Sequence, residues 1–265
     1  RFDNSHLVCA LLLRLLPLEA GVSPGFQAIE EDEADALWRT VLSQRLEVSA
    51  NLHPDAMAVL AKATGGLGIG AALEALKAKR QDLLQFHRSV SSKKELIDLV
   101  TTASGASTES PSQILDQAMV RDMPEAELRV VVDDLSEIAS PGKGDIALRA
   151  ALNEVLDLSD PEQRYLRYMS AIAGAKQDFP SGSNPFTSKA GSITVDLFSR
   201  SLKTGAPEGR EITRMKAVQA ALKAAELAER SIALMQIGLP MIDAYAEQKR
   251  LRGALDFDDL IARTH

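Results

Sequence analysis

The chain has little of several residue types, and each scarcity excludes a class of protein. Its 265 residues include one Cys, four His and an aromatic fraction of 4%. A single Cys excludes an internal disulfide framework and fits a reducing cytosol. The Cys and the four His residues give no zinc-ligand spacing. With so few aromatics the core must rest on Leu, Ala, Val and Ile, and this composition favours helices.

Long apolar runs are also missing. No stretch approaches the ~20 apolar residues that cross a bilayer. The run LVCALLLRLL at 7–16 is interrupted by Arg14 and is followed by Pro17, which is typical of a short helix that a proline terminates. No small-residue cleavage site of a secretory signal follows it.

Catalytic signatures are absent from the sequence as well. It contains no G-x-S-x-G and no H-E-x-x-H motif. GGLGIG at 65–70 lacks the preceding strand and the following Lys of a phosphate-binding loop, so we interpret it as a turn between helices. The three Asp of LDFDDLI at 255–261 lie too close in sequence to converge on one ion. We therefore predict no catalytic, cofactor-binding or metal-binding residues in this chain.

Helical periodicity dominates what is present. Apolar residues recur at steps of three and four, and turn signals separate the segments. The predicted class is all-α, a bundle-like domain with a minor strand or an irregular arm near 177–209, where Ser, Gly and Pro are frequent. Predicted helices lie at about 5–16, 30–42, 53–64, 71–88, 91–102, 111–119, 123–138, 144–157, 160–175 and 211–251.

Three helices carry more specific expectations. The first has one apolar face, formed by Val8, Leu11, Leu12, Leu15 and Leu16. The last long helix should bend or break at Gly238 and Pro240. A final helix should begin at Phe257 with Asp256 as its N-cap, and Phe257, Leu260 and Ile261 would then be core anchors.

Charge is unevenly distributed along the chain, whose net charge is −7. The tract 77–94 holds six Lys and Arg against one acid, and the tract 109–137 holds eight acids against two Arg. Such runs are usually solvated helix faces, and the functional alternative for the basic tracts is a surface that contacts a phosphate backbone. For such contacts we predict first Lys77, Lys79, Arg80, Arg88, Lys93 and Lys94, and then Arg200, Lys203, Arg210 and Arg214.

The C-terminal segment resembles a helicase motif. AYAEQKRLRGALDFDDLI at 244–261 resembles the segment just before the Walker B strand in UvrD/Rep-type superfamily 1 helicases. In that family a Tyr, a Lys four residues on and a small residue lead into D-F-x-D-L-I. The matching residues here are Tyr245, Lys249, Gly253, Asp256, Phe257, Asp259, Leu260 and Ile261.

The N-terminal segment resembles one branch of the same family. CALLLRLLPLEAGVSPGFQAIEEDEA at 9–34 is similar to the stretch after the T-x-H-x-F motif in AddA, the helicase–nuclease subunit of the AddAB recombination complex. Cys9, Leu12, Leu13, Arg14 and Pro17 hold the expected spacing. At the motif itself the chain departs from the family, because Asn4 and Val8 flank His6 where the family has Thr and Phe. His6 is the position at which the resemblance places a single-strand DNA contact.

The resemblance implies a division of the chain. Residues 1–30 would follow the T-x-H-x-F-like motif of the first motor domain. Residues 31–250 would be a helical accessory subdomain of the 1B type with a loop at 177–209, and residues 251–265 would lead toward the Walker B strand. No cofactor is expected in the chain itself, because ATP and Mg²⁺ would belong to other parts of the parent protein.

The resemblance also implies a function and partners. The parent would be an ATP-dependent DNA helicase and nuclease of double-strand-break repair in the bacterial cytoplasm, without a membrane. Its partners would be DNA and an AddB-like subunit, and this chain would position DNA beside the motor without chemistry of its own. The alternative is a protein-interaction module whose acidic tract 109–137 docks a partner subunit.

Overall fold

The computed structural model describes residues 4–17, 19–23, 25–66, 68–173 and 210–264, apart from the side chains of residues 4–7, 173, 210 and 212. Within these ranges lie twelve α-helices, one π-helical segment and two strands of two residues each. The predicted all-α class is therefore confirmed. The predicted arm near 177–209 lies outside the described residues.

The helices follow one another with short connections. In chain order they are α1 (Asn4–Leu15), α2 (Glu31–Leu52), α3 (Pro54–Thr64), α4 (Ile69–Lys77), α5 (Arg80–Ser89), α6 (Lys93–Ala103), α7 (Pro111–Asp116), α8 (Glu125–Ser136), α9 (Lys143–Asp157), α10 (Pro161–Ala173), α11 (Arg210–Arg252) and α12 (Phe257–Ala262). The π-helical segment, Gln117–Arg121, continues directly from α7. The strands β1 (Gln27–Ala28) and β2 (Ala254–Leu255) pair in parallel.

The predicted single helix at 71–88 is wrong, and so is the predicted break of the last long helix at Gly238 and Pro240, while the bend given as its alternative stays a prediction. The tract 71–88 is two helices, because α4 ends at Lys77 and α5 begins at Arg80. The break lies where the Arg80 side chain turns inward to bind carboxylates, a tertiary interaction that overrides local helix propensity. Conversely, α11 runs through Gly238 and Pro240 without ending. At the proline, Arg45 Nη2 of α2 donates to the Pro240 carbonyl at 3.4 Å.

The chain divides into two compact units. Residues Arg1–Val100 and Ala228–His265 form unit 1, and residues Thr101–Leu227 form unit 2. The main core of unit 1 lies between α2, α3, α4 and α11, where Leu73, Ile237 and Met241 are fully buried. Trp38 and Tyr245 meet edge to face in this core, with ring centroids 5.4 Å apart, an arrangement that aromatic pairs favour.

A second cluster of unit 1 brings the two terminal segments together. Gln27 N–H donates to the Gly253 carbonyl at 2.8 Å, and Ile29 N–H donates to the Leu255 carbonyl at 3.0 Å. Helix α1 packs against α12. The buried residues between them and the strands are Leu13, Val22, Phe26, Leu255 and Leu260.

The apolar face of α1 points away from this cluster. Leu13, on the opposite side, is only 2% exposed, whereas Leu15 is 75% exposed. The other members of the predicted apolar face, Val8, Leu11, Leu12 and Leu16, are about half exposed. A contiguous stripe of this size is unusual on the surface of a soluble domain and commonly marks a contact surface.

Unit 2 has its own core. The helices α7 to α10, the π-helical segment and the first part of α11 enclose it. Fully buried members include Met119, Leu128, Val131, Leu152, Val155, Tyr168, Met169 and Met215. Methionine and aliphatic side chains make up most of this core, as expected for a sequence with few aromatics.

Candidate functional site

Asp256 caps the N-terminus of α12. Asp256 Oδ1 accepts from the backbone N–H of Asp259 at 3.1 Å, and Asp259 Oδ2 accepts from the backbone N–H of Asp256 at 3.3 Å. This reciprocal capping box confirms the predicted N-cap. Among the predicted anchors Leu260 is buried, but Phe257 and Ile261 are each 38% exposed. That part of the prediction is wrong, because a helix of six residues presents just one narrow face to the core.

Three donors converge on the Asp256 carboxylate. Arg80 Nη2 lies 2.8 Å from Oδ1, while Lys249 Nζ and the Tyr245 hydroxyl each lie 2.8 Å from Oδ2. Arg80, Lys249 and Asp256 are 6%, 4% and 3% exposed. A carboxylate and two cations at this depth must be paired and hydrogen-bonded, since isolated buried charges are very costly.

The network extends to two further carboxylates of α12. Lys249 also forms an ion pair with Asp259, whose Oδ1 accepts from Gln81 Nε2 at 2.9 Å. Arg80 Nη1 reaches Asp258 Oδ2 at 2.6 Å, and that carboxylate is half exposed. Two cations therefore face three carboxylates, and the remaining negative charge lies toward solvent.

Protonation states in the network follow from this pairing. Burial alone would raise the pKa of Asp256, but the charges of Lys249 and Arg80 and the hydrogen bonds from Lys249 and Tyr245 hold that pKa well below its usual range. Burial and the neighbouring Asp256 charge raise the pKa of Tyr245 far above its usual value. Asp256 is thus ionised and Tyr245 is a neutral donor throughout the physiological range.

Local sequence explains half of this arrangement. Tyr245 and Lys249 are one turn apart on α11, so their side chains share a face. Gly253 follows the helix with φ of 62°, a left-handed conformation that favours glycine. The two residues of β2 follow this turn, and Asp256 comes next, close to Tyr245 and Lys249 of α11. Tyr245, Lys249, Asp256 and Asp259 therefore form one connected structure.

The other half comes from α5 and is not visible in the sequence. The basic tract predicts Arg80 as a phosphate contact, yet its guanidinium is buried and donates to Asp256, to Asp258 and to the Lys77 carbonyl at 3.1 Å. The structure therefore removes it from the accessible cations. No local pattern pairs Arg80 with Asp256, because the two are separated by 176 positions in the sequence.

An open cleft of about 320 Å³ adjoins the network. Its lining includes Glu30, Glu31 and Asp35 from the start of α2 and Phe257 from α12. Both cations in the lining are already paired, because Lys77 forms an ion pair with Asp35 and Arg80 binds Asp258. Carboxylates outnumber cations here, which makes the cleft a poor site for an anion.

The remaining predicted contacts of the first basic tract lie at the surface. Lys79, Arg88 and Lys93 are exposed, and so is Lys94, which forms an ion pair with Asp98 at 2.7 Å. Lys77 is largely buried beside Asp35. The accessible set is therefore Lys79, Arg88, Lys93 and Lys94.

The second basic tract is described in part. Arg200 and Lys203 lie outside the described residues, as do the side chains of Arg210 and His6. Arg214 belongs to unit 2 and is committed to protein acceptors, since it pairs with Glu211 at 2.6 Å and donates to the Ala118 carbonyl at 2.9 Å. At the N-terminus, the Arg14 guanidinium lies 5.7 Å from the centroid of the Phe26 ring, and Pro17 follows α1.

Unit 2 contains a comparable arginine. Arg164 is 5% exposed and donates to the Met119 carbonyl at 2.7 Å and to the Val155 carbonyl at 3.0 Å. It also pairs with Glu125. Met119 lies in the π-helical segment, where the widened turn leaves backbone carbonyls for side-chain donors. These contacts hold the guanidinium inside the fold of unit 2.

Metal-ligand clusters and membrane-spanning helices are absent from the described ranges. They contain no group of three or more His, Cys, Asp or Glu that could hold a metal ion. No single helix among them is long and apolar enough to cross a membrane, and the one pair that reaches the threshold together, α3 and α4, is bent by 99°.

Comparison with known proteins adds no relative. No protein-family model matches this sequence, and no similar curated protein or solved structure was found.

Proposed function

We propose that this chain is a helical accessory subdomain of an ATP-dependent DNA helicase and nuclease of the AddA type, in which it positions DNA beside the motor. The parent would act in double-strand-break repair, with ATP and Mg²⁺ held by its motor domains and an AddB-like subunit as partner. The chain itself would carry out no chemistry.

One observation carries this proposal. Tyr245, Lys249, Asp256 and Asp259, which carry the resemblance at the C-terminal side, meet in one buried network. The network gives these four residues one shared structural role, and this supports the proposal. The N-terminal segment that resembles AddA packs against the same part of the fold, through α1 on α12.

DNA contact would come from the exposed cations Lys79, Arg88, Lys93 and Lys94. Contacts of this kind bind phosphates without sequence preference and weaken steeply with salt. We expect the whole chain to bind a labelled DNA duplex in fluorescence anisotropy. Replacing all four cations by Gln should weaken binding and make the salt slope shallower by about 0.9 for each phosphate that is no longer neutralised.

A matched variant controls for net charge. Replacing Arg121, Arg129, Lys143 and Arg252 by Gln removes the same charge from exposed positions elsewhere and should change the salt slope little. Equal effects of the two quadruple variants would refute the assigned DNA surface, as would the absence of any DNA binding by the chain.

The identity of the parent has a separate test. We expect the complete gene product to contain G-x-x-x-x-G-K-[ST] before the present sequence and D-E-x-Q after it, because ATP hydrolysis requires both elements. A gene product without them would refute the assignment to a helicase, whatever the DNA titration shows.

Docking of a partner subunit is the second candidate function. It is favoured by the exposed apolar stripe of α1, together with the acidic α8, where Val130 is 52% exposed near Asp133. Cross-linking in cell extract should then join residues 109–137 or α1 to one protein. Replacing the exposed cations Lys79, Arg88, Lys93 and Lys94 should in that case leave DNA binding unchanged. Cross-links to neither segment would exclude this candidate.

A further inference from the structure

The connection between α5 and α12 runs through one side chain. Arg80 lies at the first position of α5 and donates to the Lys77 carbonyl at the end of α4. The two terminal nitrogens of the same guanidinium bind Asp256 and Asp258, at the start of α12. Because the planar guanidinium is bound through both terminal nitrogens, it fixes the orientation of the two carboxylates as well as their distance from α5.

Helix α12 depends on its neighbours for its orientation. It spans six residues, Phe257–Ala262, packs against α1 and has Leu260 as its one buried residue. Helices this short are not stable in isolation, so their geometry is set by caps and by packing. The N-terminal cap, Asp256, is the carboxylate on which the network converges.

The ionic network is better suited to fixing geometry than to adding stability. Buried ion pairs often contribute little more than apolar residues of the same size, although breaking one partner is costly. Lys249 and Tyr245 can reach Asp256 from the neighbouring end of α11, within the same chain segment. Among the described residues, Arg80 and Gln81 of α5 form hydrogen bonds to this segment. Of these two, Arg80 binds the buried cap Asp256, whereas Gln81 binds Asp259.

We propose that Arg80 is a positioning residue that ties the orientation of α12 to the α4–α5 junction. Any movement of this junction is then transmitted to Asp256 and Asp258, and through them to α12. Without Arg80, α12 keeps its local capping box but opens independently of α5. This role of Arg80 does not depend on the proposed function.

Hydrogen exchange of the full chain tests the coupling. In Arg80→Met, amide exchange in α12 should rise by about tenfold or more beyond any rise in the middle of α2, because α2 responds only to the loss of overall stability. Arg250→Met, which breaks an exposed pair with Glu247 within α11, should leave amide exchange in α12 within about twofold of the parent chain. An equal rise in α2 and α12, or no rise in α12, would overturn the proposal.

Two further variants separate coupling from general destabilisation. Leu60→Ala removes a buried core residue of α3, outside both α4 and α5, and should raise exchange in α2 and α12 alike. If it opens α12 selectively, as Arg80→Met is expected to do, the proposal fails.

Arg80→Lys retains the charge without the fork and should raise α12 exchange by about threefold. If Arg80→Met does not fold, Arg80→Lys provides the test. An equal rise of amide exchange in α2 and α12 would again refute the coupling.

Discussion

Leu76 of α4 packs directly onto the backbone of α11 at Gly238. A Cβ placed on Gly238 would lie 2.2 Å from Leu76 Cδ1, well inside any allowed contact. Leu73 Cδ2 lies 3.7 Å from the same point. The glycine therefore permits close approach of two helices in the core of unit 1, and its role is packing and not helix termination.

Gly238→Ala should consequently destabilise unit 1 by about 1–3 kcal/mol, because the added methyl forces Leu76 or the helices to move. Leu76→Ala in the same chain should recover part of this loss. The measurement is denaturant unfolding followed by the fluorescence of Trp38, the one tryptophan of the sequence. Gly70→Ala is the matched control, since its Cβ meets open space within α4 and should stabilise by about 0.5–1 kcal/mol. Equal effects at both glycines would contradict this explanation.

Asp256→Asn should destabilise the chain by about 3–5 kcal/mol at neutral pH, because Arg80 and Lys249 lose their buried counter-charge. The folded-state pKa of Asp256 is depressed, so its contribution is present above the unfolded pKa and is lost as pH falls toward the folded value. The difference between parent and variant should therefore shrink below about pH 4. Unfolding free energies measured at several pH values check this, and a constant difference down to about pH 2 would contradict it.

Arg164→Met should destabilise unit 2 by about 3–5 kcal/mol, because the Met119 and Val155 carbonyls and Glu125 lose a shared buried donor. Arg121→Met provides the comparison, since that side chain is 69% exposed in its pair with Asp116 and should cost less than about 1 kcal/mol. Unfolding followed by circular dichroism measures both. Similar losses in the two variants would mean that Arg164 is not buried as described.

Leu13→Ala and Leu15→Ala test the orientation of α1. The two residues are alike in sequence context, yet Leu13 is 2% exposed and Leu15 is 75% exposed. We expect Leu13→Ala to cost about 2–5 kcal/mol and Leu15→Ala less than about 0.5 kcal/mol in unfolding free energy. Comparable losses would contradict this orientation of α1, and a larger loss at Leu15 would place the opposite face against the core.

Much of the site is predictable where its parts are close in sequence. Asp256 as a cap follows from an Asp before a helical pattern, and Tyr245 and Lys249 share a face because they are four residues apart. The assignment of Phe257 and Ile261 to the core is wrong, since apolar character alone does not say which side of a short helix is covered. Arg80 resembles a surface cation in the sequence, because its charge is visible there and its burial is not.

Local sequence is sufficient for the all-α class, for nearly every helix and for the turn from α11 to α12, because these depend on propensity, periodicity and caps over a few residues. Only the packed fold shows that Arg80 belongs with Asp256, that Leu76 occupies the space over Gly238, and that the apolar stripe of α1 faces outward. Each of these relationships depends on which faces of the helices pack together. That choice is made by the burial of the whole core and not by any local pattern.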